Sequence, residues 1–418
     1  MKYLIFLLIS LFSTQLMAQK TVSFSLKADK DYLDVPVSFS LDNVDYNIDS
    51  LNLNLYEVAK SGEKLIPSQL ELGHTARIWF MLEGVFAKNS TRKFVLKLNE
   101  KESSQKTDEN IQIKKSDGNV TLFSKEKPVL SYRYETMYPP AGVNPLFKRS
   151  GFVHPLWSPQ GEMLSRVQPS DHYHHYGIWG PWTLTHIGDR KVDFWNLADG
   201  EGTVKFAGFL SETSGTVFSG FKALQQHIDF GGKGPDQIAM NEVLDVRVWN
   251  SGKGVWIIDY TTSVNTSLDN GIMLDAYRYG GGIGFRATEK WTKDNCTVLT
   301  SEGKTRVDAD GSNARWCIVE GESGTPEGRS GILFLSHPSN RAHPEPMRVW
   351  PLDGNGGRGD MFFEFTPIRH KSWELKKGSN YVLKYRMIVF DGKIDEKTAE
   401  MYWLSFSSSP KIENESTK

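Results

Sequence analysis

The chain contains little cysteine, little histidine and almost no long apolar sequence. Only two cysteines occur among its 418 residues, Cys296 and Cys317, so the fold is not a disulfide-built scaffold, and their separation is not a zinc-site spacing. The two thiols either pair in an oxidising compartment or remain buried and free. The formal net charge is −1, which argues against nucleic acid or acidic lipid as the main partner.

One apolar run stands out, at the start of the chain. Lys2 precedes an apolar stretch from position 3 to position 16, and Ala18 offers a cleavage position before Gln19. The run is too short for a transmembrane helix and is typical of a secretory signal peptide over residues 1–18. No cysteine lies near the cleavage position, which excludes a lipoprotein anchor. We therefore expect an exported protein, periplasmic or secreted, without a membrane span.

Aromatic residues and glycine, in contrast, are abundant. Aromatic side chains make up 12% of the chain, with 12 tryptophans, and there are 37 glycines. Aromatic and β-branched segments that alternate with glycine turns predict an all-β protein. In an exported protein, tryptophan and tyrosine also suit stacking against sugar rings, although core packing alone accounts for many of them.

The spacing of the strands predicts two β-sandwiches. Residues 19–100 show short alternating strands and predict a small N-terminal β-sandwich, and the polar residues 101–119 predict a linker or an edge hairpin. Residues 120–406 carry longer strands without a repeat and predict a large antiparallel two-sheet sandwich. Within it we expect a hairpin at 242–264 and a short helix over 395–404. The tail, residues 407–418, is predicted to be disordered.

Three of the ten histidines lie within four residues of one segment. The sequence PSDHYHHYGIWGPW, residues 169–182, contains His172, His174 and His175. Because turn residues bound it on both sides, the segment predicts a short extended piece at the rim of a sheet. Alternation then places His172, His174 and Tyr176 on one face and His175 on the other.

This cluster has three interpretations. The first is a divalent metal site, with His172 and His174 as two ligands on one strand face. The third ligand would then come from His154, Glu242, His337 or His343. In the second, the imidazoles act as acid, base or substrate contacts without metal. In the third, they only pack against the tryptophans at positions 179, 182 and 195. Because each buried imidazole needs polar partners, the cluster favours function over packing, and acid/base chemistry over metal.

Two further segments predict parts of a ligand site. In residues 275–291, DAYRYGGGIGFRATEKW, the glycines precede an alternating strand rather than a helix, so a nucleotide cofactor is not expected. They instead predict backbone that lies close under a ligand, or a bulged strand. Arg286 would grip a carboxylate or sugar hydroxyls there, or form a plain ion pair. In residues 336–351, the three prolines that precede Trp350 predict a rigid binding wall or a plain surface loop.

The longest motifs resemble one bacterial family of unknown function. GFVHPLWSPQGEMLSRVQPSDHYHHYGIWGPWT, VDFWNL, YGGGIGFR and the HP-x-N sequence at 337–340 are similar to the family labelled methane oxygenase PmoA, over about residues 120–405. The resemblance implies a role in carbohydrate catabolism and a sandwich similar to galactose-mutarotase-like enzymes and polysaccharide lyases. The label itself is not expected to describe the activity. A methane monooxygenase subunit is a bundle of membrane-spanning helices, which this sequence lacks.

Together these observations predict an exported carbohydrate-active enzyme that transfers a proton at a sugar carbon. Elimination, hydration or epimerisation of a uronic or keto-sugar residue needs a base of near-neutral pKa and a group that stabilises the enolate. The base candidates are His174 and His175, the acid candidates Tyr176 and Tyr279, and the charge stabilisers Arg286 and His172. The expected substrate contacts are His154, Trp179, Trp182, Glu242, His337, Asn340 and Arg348. The alternatives are a non-catalytic glycan-binding protein that stacks sugars on tryptophans, and a metal-dependent hydrolase or oxygenase.

Overall fold

Antiparallel strands build nearly all of the described structure. The computed structural model describes residues 20–42, 44, 51–100, 111–252 and 254–417. The predicted signal peptide and residues 101–110 of the predicted linker lie outside the described residues. Helix is limited there to α1, Glu396–Ser407, and the 3₁₀ turns Pro145–Phe147 and Leu197–Asp199, so the all-β prediction is confirmed. None of these described helices has the length and apolar composition required to cross a bilayer.

Two small sheets form the predicted N-terminal β-sandwich. Their inner faces share one core that includes the stacked rings of Phe24, Phe39 and Phe94. The three-stranded sheet has the order β2 (Tyr32–Ser40), β6 (Arg77–Phe86), β5 (Ser68–Glu71). The five-stranded sheet has the order β29 (Lys411–Thr417), β1 (Lys20–Lys27), β7 (Thr91–Glu100), β3 (Leu51–Ala59), β4 (Gly62–Ile66).

Two long antiparallel sheets form the large sandwich. The nine-stranded sheet has the order β22 (Asn313–Ala314), β25 (Glu345–Val349), β26 (Phe362–Phe365), β20 (Ile283–Arg286), β12 (Ile178–Trp179), β11 (Phe152–Leu156), β10 (Lys127–Arg133), β9 (Asn119–Ser124), β8 (Ile111–Ser116). The eight-stranded sheet has the order β15 (Gly202–Thr213), β16 (Phe218–Asp229), β17 (Gln237–Trp249), β18 (Val255–Asn265), β28 (Tyr381–Asp391), β24 (Arg329–Ser336), β23 (Trp316–Glu322), β21 (Cys296–Thr300). A four-stranded sheet of β14 (Arg190–Val192), β13 (Thr185–Ile187), β19 (Ile272–Leu274) and β27 (Trp373–Leu375) completes the domain.

The core of the large sandwich lies between its two long sheets. Phe334 of β24 packs 5.5 Å from Phe285 of β20 and 4.6 Å from Phe363 of β26, measured between ring centroids. The opposite face of the eight-stranded sheet is covered by the N-terminal sandwich and by α1, in a second cluster that includes Trp249 and Tyr402. Of the two long sheets, the nine-stranded one is thus the sheet whose outer face neither of these clusters covers.

Several local predictions are confirmed. Strands β17 and β18 pair as the expected hairpin, and burial along β17 alternates with period two. The helix α1 begins after Asp395, whose side chain accepts a hydrogen bond from the backbone N–H of Thr398. The predicted edge hairpin holds for residues 111–119, where β8 and β9 are joined by Asp117 and Gly118, both with positive φ.

Both cysteines are buried and free in the large sandwich. Cys296 of β21 lies opposite Gly321, and Cys317 of β23 lies opposite Thr300, so the two thiols are out of register along neighbouring strands. Burial raises the pKa of Cys296 to about 12. Of the two alternatives that the sequence left open, the structure therefore has the free thiols.

The prediction of a disordered tail is wrong. Helix α1 extends to Ser407, and residues 411–417 form β29, which pairs with β1 along the edge of the five-stranded sheet. The tail can be rich in polar residues because an edge strand exposes one of its faces to solvent. Even the apolar Ile412 is 42% exposed there. The N–H and C=O groups on the edge of β1 opposite β7 form hydrogen bonds with β29. The tail sequence alone does not show that this edge is available.

Deletion of residues 410–418 should weaken the N-terminal sandwich. The truncation removes the β29 ladder and the bond from the Ser25 hydroxyl to the Glu413 carbonyl, so we expect a loss of about 1–3 kcal/mol in the free energy of unfolding. Urea unfolding of the full and truncated chains measures it. Because the deletion also exposes the β1 edge, the truncated chain should associate at high concentration in light scattering. Unchanged stability would contradict a structural role for the tail.

Candidate functional site

The candidate site lies on the outer face of the nine-stranded sheet. Phe285 of β20 and Phe363 of β26 point into the core, so alternation turns Arg286 and Phe362 to the outer face. Trp350 follows β25 and donates its backbone N–H to the Phe362 carbonyl, which extends this row. We call the buried rings on this face the aromatic floor: Trp179, Trp195, Trp350 and Phe362.

The histidine loop, residues 168–176, stands over this floor. It is not the predicted extended strand, because two consecutive turns fold it. The N–H of His172 bonds to the Pro169 carbonyl and the N–H of His175 to the His172 carbonyl. A bridge between Val167 and Tyr176 closes its ends. The predicted division of the histidines between two faces is therefore wrong, since turns break the period-two alternation on which it depended.

The turns bring all three imidazoles together. Ring centroids are 5.4 Å apart for His172 and His174, and 4.8 Å apart for both pairs that include His175. His175 is 1% exposed and packs against the aromatic floor, and its Nδ1 has no hydrogen-bond partner among the described residues. His172 and His174 are only half-buried.

Burial keeps these imidazoles neutral. It lowers the pKa of His174 to about 4, and the neighbouring His172 lowers that pKa further. It also lowers the pKa of His172, against the opposing effect of the Asp171 hydrogen bond, and places the pKa of His175 well below its ordinary value. At neutral pH the two accessible rings are thus present as free bases.

Asp171 orients His172. Its Oδ2 lies 3.0 Å from His172 Nδ1, and accepts bonds from Arg286 at 2.6 Å and from the Asn355 amide at 2.7 Å. Burial alone would raise the pKa of Asp171, but the charge of Arg286 and these bonds lower it to about 2. A carboxylate on Nδ1 favours the tautomer whose Nε2 lone pair is free to accept a proton.

Arg286 is the support of this arrangement rather than an open ligand contact. Its side chain is fully buried, and its guanidinium lies 4.6 Å from the centre of the Trp350 ring. Of its nitrogens, Nη2 is bonded to Asp171, while Nε and Nη1 are buried and have no hydrogen-bond partner in the part of the chain that the structure describes. Of the two alternatives for Arg286, the structure therefore has the ion pair. Arg286 acts on the site by holding Asp171, which in turn orients His172.

Tyr279 also borders the aromatic floor. It lies in the loop between β19 and β20. Its hydroxyl oxygen accepts bonds from Arg348 Nη2 at 3.2 Å and from Trp350 Nε1 at 3.1 Å. Its ring lies 5.0 Å from that of Trp195. Because both acceptor positions of the oxygen are filled, its own hydrogen is available to a bound molecule. Tyr279 is half-buried, so this hydrogen can be reached.

The VDFWNL motif fixes Trp195. Asp193 is buried, and its carboxylate accepts bonds from the backbone N–H groups of Trp195 and Asn196 and from the hydroxyl of Thr183. Trp195 in turn donates its Nε1 hydrogen to the His174 carbonyl at 2.8 Å. The motif therefore ties the histidine loop to the aromatic floor.

Three predicted residues are brought close to the site, and two of them, Tyr176 and Trp179, are closed to a ligand by burial. Tyr176 donates its hydroxyl to the Phe147 carbonyl and is buried, so it is not placed as an acid. Trp179 is fully buried in the floor. His154 is half-buried one strand away, with Nδ1 2.9 Å from the Ser165 hydroxyl. Burial lowers the pKa of His154 to about 4.

Glu242 and Trp182 lie inside the sandwich and not in the site. Alternation along β17 turns Glu242 into the core, where it accepts bonds from His227 Nε2 at 2.8 Å and from the Thr262 hydroxyl at 2.6 Å. Trp182 is fully buried and packs against Trp373. The same alternation that the sequence showed thus excludes Glu242 from substrate or metal contact.

The segment 336–343 lies in another part of the molecule. His337 packs 5.2 Å from Phe406 of α1, so the predicted cleft shared by His337 and Arg286 does not exist. Asn340 is buried and bonds to Glu345 and to the backbone of Lys384. His343 stacks on Trp403. Of the predicted contacts in residues 336–351, only Arg348 reaches the site.

The glycines before β20 make room for protein and not for a ligand. A Cβ on Gly281 would lie 2.1 Å from the Phe365 carbonyl oxygen, and one on Gly284 would lie 2.9 Å from Pro181 Cγ. Residues 283–286 form a strand, so no helix follows to receive a phosphate.

Sequence reasoning missed the supporting residues of the site. Asp193, Asn355 and Trp350 were not among the predicted site residues, although Trp350 lies near the end of the proline-rich segment and Asp193 lies in the VDFWNL motif. Within the described residues, no group of three or more histidine, cysteine, aspartate or glutamate side chains is arranged to hold a metal ion. This leaves His172 and His174 as a pair without a third ligand.

The family of the chain follows from its sequence match. A comparison with curated proteins finds none that matches. The model of a family of unknown function, DUF6807, matches residues 119–404. This range covers the large sandwich from β9 to α1, including the histidine loop, the VDFWNL motif and Tyr279. The chain therefore belongs to the DUF6807 family of unknown function.

Proposed function

We propose that this protein is an exported carbohydrate-active enzyme that transfers a proton at a carbon of a uronic or keto-sugar residue. The observation that carries the proposal is that a neutral imidazole, His172, and a phenol, Tyr279, are both half-buried and both contact Trp350. His172 lies 4.9 Å from the Trp350 ring, whose Nε1 bonds to the Tyr279 oxygen. The two groups therefore border the same ring.

The chemistry uses His172 as base and Tyr279 as acid. His172 Nε2 accepts the proton from the carbon next to a carboxyl or carbonyl group, and Asp171 stabilises the imidazolium that forms. In an elimination, the electron pair of that C–H bond becomes the new C=C bond and the C–O bond at the β carbon breaks. The leaving oxygen takes the hydrogen of Tyr279. Arg348 and Trp350 then stabilise the tyrosinate, and solvent exchange restores both groups.

His174 and the aromatic floor complete the proposed site. His174 is the second half-buried base, and its carbonyl is held by Trp195. His175, which the sequence offered as a base, is replaced in this role by His172 because it is 1% exposed. The glycan-binding alternative loses support, because Trp179 and Trp182 are fully buried and Trp195 is 3% exposed.

The wider expectations remain part of the proposal. The apolar segment at positions 3–16 supports export to the periplasm or beyond. The resemblance to the family labelled methane oxygenase PmoA, together with the two-sheet sandwich, supports a carbohydrate role of the kind found in galactose-mutarotase-like enzymes. Oxygenase activity is not proposed.

Incubation with a panel of plant and algal oligosaccharides tests the proposal. We expect a mass change or a double-bond absorbance with at least one uronic or keto-sugar substrate, and its loss in His172→Gln. The same incubation after dialysis against EDTA separates metal-free proton transfer from metal catalysis, since only the latter loses activity. If no sugar changes mass in water or takes up deuterium at carbon in deuterium oxide, or if His172→Gln and wild type act alike, the proposal is wrong.

A further inference from the structure

The Tyr279 side of the site carries an excess of positive charge. Arg348 pairs with Asp310 at 2.7 Å and Arg369 pairs with the same carboxylate at 3.1 Å. The Arg278 guanidinium lies over the Tyr279 ring, so three arginines and one ion-paired carboxylate lie on this side. Glu364 lies on the same sheet face, but burial raises its pKa well above the ordinary value, which disfavours a second negative charge there.

Arg278 is the guanidinium of this group that has no carboxylate. Among the residues that the structure describes, no acidic side chain pairs with it, and it is exposed. Its guanidinium carbon lies 5.3 Å from the centre of the Tyr279 ring and 6.0 Å from that of Tyr277. Its backbone carbonyl accepts a bond from Arg369 Nη1 at 3.3 Å. The backbone is thus held while the charged group lies against the proposed acid.

A carboxylate is the ligand group that suits this position. Arginine binds carboxylates through charge-assisted hydrogen bonds, and a surface arginine gains little from a neutral hydroxyl in comparison. Removal of the proton next to a carboxylate places a second negative charge on that group, and a guanidinium at its oxygens stabilises this charge as it develops. A keto-sugar without a carboxylate would leave the charge of Arg278 beside Tyr279 without a partner.

We infer that Arg278 binds the carboxylate of the substrate, so that the site takes uronic-acid sugars rather than neutral keto-sugars. The inference rests on the proposed function and narrows its substrate class. Arg348 and Arg369 add to the field but are held by Asp310. Arg278 is therefore the residue that distinguishes charged from neutral sugars.

Paired ligands that differ only in charge test the inference. Trimers of galacturonate, glucuronate and mannuronate, and the methyl ester of each, are titrated calorimetrically into the wild-type protein. At least one acidic trimer should bind at least tenfold more tightly than its ester. Arg278→Gln should remove that preference, and Arg278→Lys should keep part of it. The matched control is Arg315→Gln, which removes an arginine stacked 5.1 Å from Trp403 near α1 and should bind as wild type does.

The outcomes separate this inference from the proposed function. Equal binding of acid and ester by wild type, or an unchanged preference in Arg278→Gln, overturns the inference and leaves the sugar site standing. Binding of neither form by wild type overturns both. Added sodium chloride should shrink the preference for the acid, because screening weakens an exposed ion pair and not stacking.

Discussion

Replacement of Tyr279 by phenylalanine should lower turnover of the cognate sugar by roughly 10²–10⁴-fold, which is the usual contribution of a positioned general acid. The substitution keeps the ring that packs against Trp195 and removes only the hydroxyl. Among the described residues, no acceptor takes the hydrogen of that hydroxyl, and the bonds from Arg348 and Trp350 prepare its oxygen to carry negative charge. The loss should therefore appear in kcat, with KM changed much less.

Tyr277→Phe is the matched control. Tyr277 lies two residues away on the same loop, with its ring 5.8 Å from that of Tyr279, and its hydroxyl bonds to neither Arg348 nor Trp350. Turnover of this variant should stay within a factor of a few of wild type. Tyr279→Phe leaves two donors unpaired, so thermal melts must accompany the kinetics, and a loss of about 1 kcal/mol in stability is expected. Normal kcat in a folded Tyr279→Phe protein would exclude Tyr279 as the acid.

The sequence predicted the elements of the fold well, because the signal for a strand is local. Along β17 the alternation of apolar residues matches the observed burial, and Asp395 marks the start of α1 where the side chain caps the helix. The tail strand β29 was missed because its partner β1 lies almost 400 residues away. Only that unpaired edge makes the segment a strand.

Only part of the candidate site could be predicted from the sequence. Glu242 shows the physical reason why the rest could not. Period-two alternation states which residues share a face and does not state which face meets a ligand. Glu242 and Arg286 were both suitable by residue type, yet β17 turns the first into the core and β20 turns the second to the outer face. In the histidine loop the pattern failed altogether, because turns and not a strand bring His172, His174 and His175 together.

The site depends on residues whose importance no local pattern displays. Asp171, Arg286 and Asn355 come from three separate segments and meet only in the folded chain. They hold His172 in place, and Asp193 holds Trp195 in place. His172 and Trp195 both lie over the outer face formed by β20, β26 and Trp350. A scaffold of this kind holds the proposed base, His172, and the proposed acid, Tyr279, against the same tryptophan, Trp350, as the proposed proton transfer at a bound carbon requires.

Replacement of His227 by leucine should cost roughly 3–5 kcal/mol in the free energy of unfolding, because it breaks a fully buried pair. Burial alone would raise the pKa of Glu242, and the hydrogen bond and charge of His227 bring it below its ordinary value instead. Without His227 the Glu242 carboxylate keeps only the Thr262 hydroxyl and must either stay charged in the core or take up a proton. Either outcome destabilises the folded chain.

A double-mutant cycle identifies the cause of that loss. Glu242→Met alone should also destabilise, since it leaves His227 Nε2 without an acceptor, whereas His227→Leu with Glu242→Met removes both polar groups. The double variant should recover much of the loss, with a coupling of roughly 2 kcal/mol or more in urea unfolding at pH 7. Because the pair lies in the core and not on the outer face, kcat and sugar affinity per folded molecule should match wild type in all three variants. Additive losses, or a double variant that is stable but inactive, would contradict the placement of Glu242 as a structural residue.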